Sequence, residues 1–298
     1  MIQHLVSKVL LRRWARYPNG KGPISGLDLR SLKERTDSVK KFGGLEDPDL
    51  TEPGDTEKVW ANEVEKRLPH AFAQLDAGKL LDNPVSIEVV KNLIVLHWAR
   101  GFALTELLAS FIPQKVDEIK TVVLENHSHA EALKALTGLD LVSTNMDGLL
   151  HNQIFLDFMD NVQKERFLDR QFIEMYRRGQ DLIRSYKLEI WHSTTPQFLI
   201  GDAPVVSYNK DEDKVGVLQG VAWNDADALF MPLGPNHAVA LAKKHSINKA
   251  SSRVVEQLNV YQTRAALREV FYHPDSNLGR VISEAIKKNE KSDSPPSK

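Results

Sequence analysis

Pro196-Gln197-Phe198-Leu199-Ile200-Gly201-Asp202-Ala203-Pro204-Val205-Val206 is the stretch on which the reading of the fold turns. Three consecutive apolar residues, Phe198 to Ile200, lie between prolines and predict a short buried strand rather than a turn of helix. The strand ends on a single acid. An aspartate in a turn ordinarily accepts the backbone N–H two residues further on, but that residue is Pro204, which has none. Asp202 therefore requires a partner delivered by another part of the chain.

Upstream, Leu188-Glu189-Ile190-Trp191 alternates and Ser193 to Pro196 supplies turn residues, so Phe198 to Gly201 is expected to return as the second strand of a hairpin. Downstream, Val215 to Leu218, Leu229 to Met231 and Ala238 to Leu241 read as three more strands, with Pro232, Gly234, Pro235 and Asn236 joining the last two. The expectation is an α+β fold with helices packed around one mostly antiparallel sheet of about five strands.

The helices lie on either side of this sheet in sequence. His4 to Trp14 places Val6, Val9, Leu10, Arg13 and Trp14 at helical spacing, with His4 at the N-terminal edge. A loop at Tyr17 to Pro23 runs into an irregular region through Asp55. From Thr56, a helix is predicted with Val59, Trp60, Val64, Leu68, Phe72 and Leu75 on one face and Gly78 as its stop. Glu63 and Glu65, two apart, point in different directions, and Glu65 is taken as the one nearer the apolar stripe.

Ser86 is the expected N-cap of a helix from Ile87 to Ile112, closed by Pro113 and apolar around nearly its whole circumference. Arg100 sits inside it, where an unpaired guanidinium would be very costly, so it needs a carboxylate or an anionic ligand. A strand at Thr121 to Leu124 and a helix at Ala130 to Leu136 follow, then helices over Asn152 to Ser185 with a break at Gly179. Arg253 to Phe271 reads as helix with Asn259 and Gln262 on one face, and a last helix spans Asn277 to Lys288. The whole is read as one domain over 1–288, helical over 1–185 and carrying the sheet and C-terminal helices over 186–288. Residues 289–298 form a charged, Pro/Ser-rich tail expected to be disordered.

Composition narrows the function classes. The 298 residues are 42% hydrophobic and 27% charged, the make-up of an ordinary globular chain. The absence of cysteine excludes disulfide frameworks, thiolate zinc sites and cysteine nucleophiles, and fits a reducing compartment. Lys8, Arg12, Arg13 and Arg16 interrupt the N-terminal apolar stretch, so no signal peptide is read there. Ile87 to Ile112 contains Glu88, Lys91, Arg100 and Glu106 and reads as a buried helix, not a membrane span. A cytoplasmic protein without membrane contact is the expectation. Net charge is −1, with about seven excess positive charges before Phe42 and about seven excess negative ones between Glu46 and Glu65. A solvated surface with opposed patches accounts for this better than a nucleic-acid site, which would gather base on one strongly basic face.

Two further patterns are weak. Asp202 followed by Glu212-Asp213-Lys214 imitates the acid and Glu-x-Lys arrangement of metal-dependent nucleases, but the second part falls in what reads as a charged hairpin turn. His127-Ser128-His129 has strand-like metal spacing in a region read as helix, where residues two apart diverge. No Gly-x-Ser-x-Gly elbow and no dinucleotide fingerprint occurs.

Several stretches together resemble one family, the domain of unknown function 4238, a group of mostly bacterial proteins. His4-Leu5-Val6-Ser7-Lys8-Val9-Leu10-Leu11-Arg12-Arg13-Trp14 is similar to its opening His-aromatic-Val-Pro-x-x-x-Leu-Arg-x-aromatic. Val64-Glu65 resembles its Ile-Glu helix, and Arg100 falls where the family has an arginine in an apolar helix. Phe198-Leu199-Ile200-Gly201-Asp202-Ala203-Pro204-Val205 is similar to its Phe-Ile-Thr-Ser-Asp-Asn-Pro-Val. Phe230 to Pro235 and Leu258 to Gln262 resemble its Pro-Leu-Ser-Pro strand and Asn-x-x-Gln helix. Order along nearly the whole chain makes the likeness specific. The departures are Ser7 for the motif proline and Gly201-Asp202-Ala203 for Ser-Asp-Asn.

The resemblance implies an arrangement and no activity. Carried over residue by residue, it implies a shared polar site of His4, Glu65, Arg100 and Asp202, with Arg12, Asn259 and Gln262 as ligand-binding residues. In such a site Arg100 would grip a phosphate or carboxylate, His4 would move protons, and Asp202 or Glu65 would act as base or as ligand to a divalent metal. That chemistry suits phosphoester hydrolysis on a nucleotide or nucleic acid. The competing expectation is a non-catalytic binding or regulatory protein whose buried arginine, acids and amides are structural. Its partner would be a small molecule or nucleic acid.

Overall fold

The structure, a computed structural model, describes residues 2–4, 6–17, 20–46, 60–99, 166–195, 197–216, 219 and 221–292. The first part of the chain gives β1 (Ile2–His4), α1 (Lys8–Leu11) continued by a 3-10 turn over Arg12–Trp14, β2 (Pro23–Asp28), β3 (Glu34–Ser38) and β4 (Gly44–Glu46). Three longer helices follow: α2 (Leu68–Asp76), entered through wider and tighter helical turns over Trp60–Val64 and Glu65–Arg67, then α3 (Pro84–Ala99) and α4 (Arg166–Ile183). The C-terminal part gives β5 (Lys187–His192), β6 (Ile200–Gly201), β7 (Val206–Asn209), β8 (Lys214–Val215), β9 (Ala228–Gly234), β10 (His237–Ala242) and β11 (Ser246–Lys249). It closes with α5 (Ser252–Ala265), β12 (Glu269–Tyr272) and α6 (Leu278–Ser292).

The class is α+β and the strands are mostly antiparallel, but they divide between sheets. One sheet runs β11-β5-β10-β9-β7-β8, a second runs β3-β2-β12-β6, and β1 pairs with β4. Among the described residues all pairs are antiparallel except β11 on β5.

The expected hairpin of β5 with the Phe198 strand does not form. β5 pairs with β10 and β11, whereas β6 pairs with β12 in the other sheet. Residues 193–205 therefore cross from one sheet to the other and back again to β7. The reason is local: only Ile200 and Gly201 enter a ladder, and the flanking residues take their hydrogen bonds from side chains and turns. The two-residue turn that does form a hairpin is Pro235-Asn236, between β9 and β10, and β9 continues through Pro232 to Gly234.

Three other expectations are corrected. The region read as irregular before Asp55 contains β2 and β3, and β3, Glu-Arg-Thr-Asp-Ser, is exposed at every position, so no alternation marks it. The helix expected from Arg253 to Phe271 ends at Ala265, and Val270 and Phe271 belong to β12. His4 lies in β1 opposite Gly44, and the helix begins only at Lys8.

Helix ends and packing follow ordinary physics. Trp60, Val64, Leu68, Phe72 and Leu75 are buried along the expected face, and Gly78 ends α2 with φ +69°. Asn83, not Ser86, caps α3: its Oδ1 accepts the Ser86 N–H at 3.0 Å, with Pro84 in the first turn. Gly179 does not break α4. A Cβ there would overlap Val95 Cγ1, so the glycine sets how closely α3 and α4 approach. Lys91, buried in the same interface, donates to Glu88 and to the Arg184 carbonyl at 3.1 Å each, past the end of α4. α6 runs to Ser292, into the stretch expected to be disordered.

Leu10, Leu11 and Trp14 meet Phe72, Leu93, Met231, Leu233 and Phe271 in one core, so the N-terminal helical turns are packed between helices and sheets. Among the described residues, no helix is long and apolar enough to cross a membrane. Arg100, His127, His129 and the elements expected at Thr121 to Leu124 and Ala130 to Leu136 lie outside the described residues.

Candidate functional site

The crossing segment is held by side chains and backbone groups from elsewhere in the chain. Phe198 N–H donates to the Pro235 carbonyl at 2.8 Å, and Trp14 Nε1 donates to the Phe198 carbonyl at 2.8 Å. Asn259, on α5, accepts the Leu199 N–H with Oδ1 and donates Nδ2 to the Gln197 carbonyl, both at 3.0 Å. One turn further along α5, Gln262 donates Nε2 to the Ala203 carbonyl at 2.7 Å. A segment too irregular for a ladder thus has its buried backbone groups paired one by one, as burial requires.

Asp202 finds its missing partner in the turn between α5 and β12. Oδ1 accepts the Leu267 N–H at 2.8 Å, and Oδ2 accepts those of Arg268 and Glu269 at 2.9 and 3.3 Å. The backbone reciprocates, Asp202 N–H donating to the Glu269 carbonyl at 3.0 Å. Only 3% of Asp202 is exposed. Burial pushes its carboxyl up to about 6, against the pull of the three N–H donors, and the nearby Glu269 carboxylate adds to the rise. This carboxylate closes the turn between α5 and β12.

Gly201 has a geometric reason to lack a side chain. A Cβ at this position would lie 2.8 Å from Ala266 Cβ and 3.2 Å from Gln262 Nε2. α5 and its following turn therefore approach β6 more closely than a side chain allows.

Asp202, Asn259 and Gln262 are brought together around this one segment. The other expected residues are not part of it. Glu65 accepts the Ser7 hydroxyl at 2.5 Å, where Ser7 is fully buried just before α1. Arg12 is exposed on the 3-10 turn after α1. The backbone of His4 is in β1; its side chain and Arg100 lie outside the described parts. Among the described residues no three His, Asp or Glu side chains gather in a metal-ligating group. The Glu212-Asp213-Lys214 pattern is the turn between β7 and β8, with Lys214 Nζ 2.5 Å from Glu212 Oε2.

The sequence reading placed Trp14 and Arg13 only in a core stripe, yet both make specific contacts. Arg13 donates Nε to the Leu233 carbonyl at 2.7 Å, forks onto both oxygens of Asp76 at 2.6 and 2.7 Å, and lies over the Phe72 ring. His237, with Nδ1 3.8 Å from Asp76 Oδ1, is held down to about 4 by burial and by the Arg13 charge. The signal available in the sequence was the pairing of an arginine with an aromatic in a helix otherwise apolar on that face.

The model of the family described as Protein of unknown function (DUF4238) matches residues 2–276. No curated protein and no solved structure matches the chain.

Proposed function

The chain belongs to the DUF4238 family, and from that premise we propose that it is a non-catalytic binding or regulatory protein of the cytoplasm, in which the family's polar positions are structural. The observation that carries this reading is the occupation of Asp202 by the N–H groups of Leu267, Arg268 and Glu269. An acid that serves as base or metal ligand needs an oxygen within reach of a substrate or ion. Asp202 instead fixes the turn that delivers β12 to β6, while Asn259 and Gln262 fix the chain on either side of it. A cysteine-free sequence suits the reducing cytoplasm.

The competing reading is a phosphoester hydrolase using the same acid. The purified chain, incubated with magnesium, manganese or zinc and with DNA, RNA or nucleotides, is expected to leave them intact, and Asp202→Asn to change only its melting temperature. Metal-dependent cleavage that vanishes in a still-folded Asp202→Asn variant would replace this proposal with the hydrolase.

A further inference from the structure

At one end of the six-stranded sheet, basic residues stand in a row across four neighbouring strands. Lys249 of β11 is the register partner of His192 of β5, His192 is the partner of His237 of β10, and His237 is the partner of Gly234 of β9. Register partners in a ladder carry their side chains on the same face. The imidazole rings of His192 and His237 are in fact neighbours, 4.9 Å between centroids. Gly234 has no side chain, and Arg13 fills the space: a Cβ on Gly234 would lie 2.9 Å from Arg13 Nε. The row therefore reads Lys249, His192, His237, Arg13.

We propose that this row is a binding site for a phosphate group, with Lys249, His192 and His237 as the donors and Arg13 as a fixed positive charge behind them.

The roles follow from what is already committed. Each guanidinium nitrogen of Arg13 already donates to Leu233 or Asp76, which fixes the group in place as a positive charge behind the row. Asp76, which faces His237 from α2, is held by that fork and lies beyond hydrogen-bond distance of His237 Nδ1, a nitrogen that has no hydrogen-bond partner among the described residues. His192 is half-buried and Lys249 is exposed, so the row reaches solvent there, while the His237 side chain is 13% exposed with Nδ1 buried. The two imidazoles stand 4.9 Å apart between centroids, and the long, flexible Lys249 side chain can reach across the remaining strand spacing of about 4.8 Å toward the same phosphate. Two imidazoles and an ammonium offer one hydrogen bond to each of three non-bridging oxygens.

The charges that surround the histidines make binding depend on protons. Burial, Arg13 from the 3-10 turn and His192 from β5 all disfavour a positive charge on His237, and Asp76 opposes them from α2. Without a ligand, His237 is neutral at pH 7, held down to about 4. A phosphate dianion reverses that balance, so it should be bound together with protons and more tightly in mild acid. The site stands apart from the Asp202 turn and does not depend on whether that turn is structural.

Calorimetric titration of the full chain at pH 6 and pH 8, with inorganic phosphate, a phosphate monoester and acetate in separate runs, tests the site. The expected result is binding of a phosphate-bearing probe, tighter at pH 6 by about tenfold, with proton uptake shown by heats that change with the buffer's ionisation enthalpy. Inorganic phosphate binding better than the monoester, or the reverse, identifies which source fits and supports the site either way. His192→Gln and Lys249→Gln should each weaken binding about tenfold, the loss of one charge-assisted hydrogen bond, and the exposed Lys249 can be changed without touching the core. The proposal is overturned by the absence of heat at millimolar phosphate, by acetate binding as well as phosphate, or by both variants keeping the original affinity.

Discussion

Trp14 Nε1 donates to the carbonyl of Phe198 at 2.8 Å, joining two buried residues 184 positions apart. The first ends the N-terminal helical turns and the second lies in the segment that crosses between the sheets. This single bond ties the N-terminal helical turns to the segment around Asp202. A helix placed by packing alone could slide; a buried indole N–H aimed at one carbonyl fixes its rotation.

Trp14→Phe keeps the apolar bulk and removes the donor, leaving the Phe198 carbonyl buried and unpaired. A loss of roughly 1–3 kcal/mol in unfolding free energy is expected, read by urea denaturation at constant m-value. A variant as stable as the parent would show that water or another group satisfies the carbonyl, and the tie between the motifs would carry no weight.

Asn259→Ala removes an acceptor from Leu199 N–H and a donor from the Gln197 carbonyl at once. It should therefore cost more than Trp14→Phe, on the order of 2–4 kcal/mol, since two buried backbone groups lose their partners. The relevant comparison is with Val260→Ala on the exposed neighbouring position, for which a change within about 0.5 kcal/mol is expected. Equal effects at the two sites would contradict the role given to Asn259.

Much of this was legible in the sequence, and what was hidden was hidden for identifiable reasons. Pro204 announced that Asp202 would look outside its own turn, and the apolar face from Trp60 to Leu75 announced its helix. The destination of Asp202 was not legible, because backbone N–H groups at residues 267–269 leave no trace in side-chain identity. The hairpin expected of Leu188 to Trp191 with Phe198 to Gly201 does not form, since turn residues between two strands fit a crossing between sheets as well as a reversal. β3 was invisible because an edge strand exposed on both faces has no alternation to read. Gly179 was misread because a helix-breaking residue and a residue that lets two helices touch are the same letter. The polar residues were gathered only in part: Asp202, Asn259 and Gln262 share the crossing segment, whereas Glu65 answers to Ser7.

Gly179→Ala tests the close approach of α3 and α4. On an isolated helix this change would stabilise by about 1 kcal/mol through propensity. Here the added methyl would overlap Val95, so a net loss of about 1–3 kcal/mol is expected. Pairing it with Val95→Ala should recover part of that loss, and a double-mutant cycle measures how much. Additive effects would mean that the helices move apart freely.

Asp202 and His237 should give stability opposite slopes with pH. The Asp202 carboxyl, at about 6 when folded against an ordinary 3.8, holds its proton more firmly in the native state. Its contribution is full below about pH 4 and is lost as pH rises through 6. His237, at about 4 when folded against 6.5, is easier to protonate once unfolded, so its contribution is full above about pH 6.5 and is lost as pH falls through 4. Between these limits the two oppose each other, and the parent chain should show a shallow profile. Chemical denaturation in half-unit steps from pH 4 to pH 7.5 separates them. In Asp202→Asn the acid-side gain disappears and stability falls steadily as pH is lowered; in His237→Gln that fall disappears and stability rises toward acid. Slopes that match the parent's in both variants would mean that neither group titrates across folding as its burial requires.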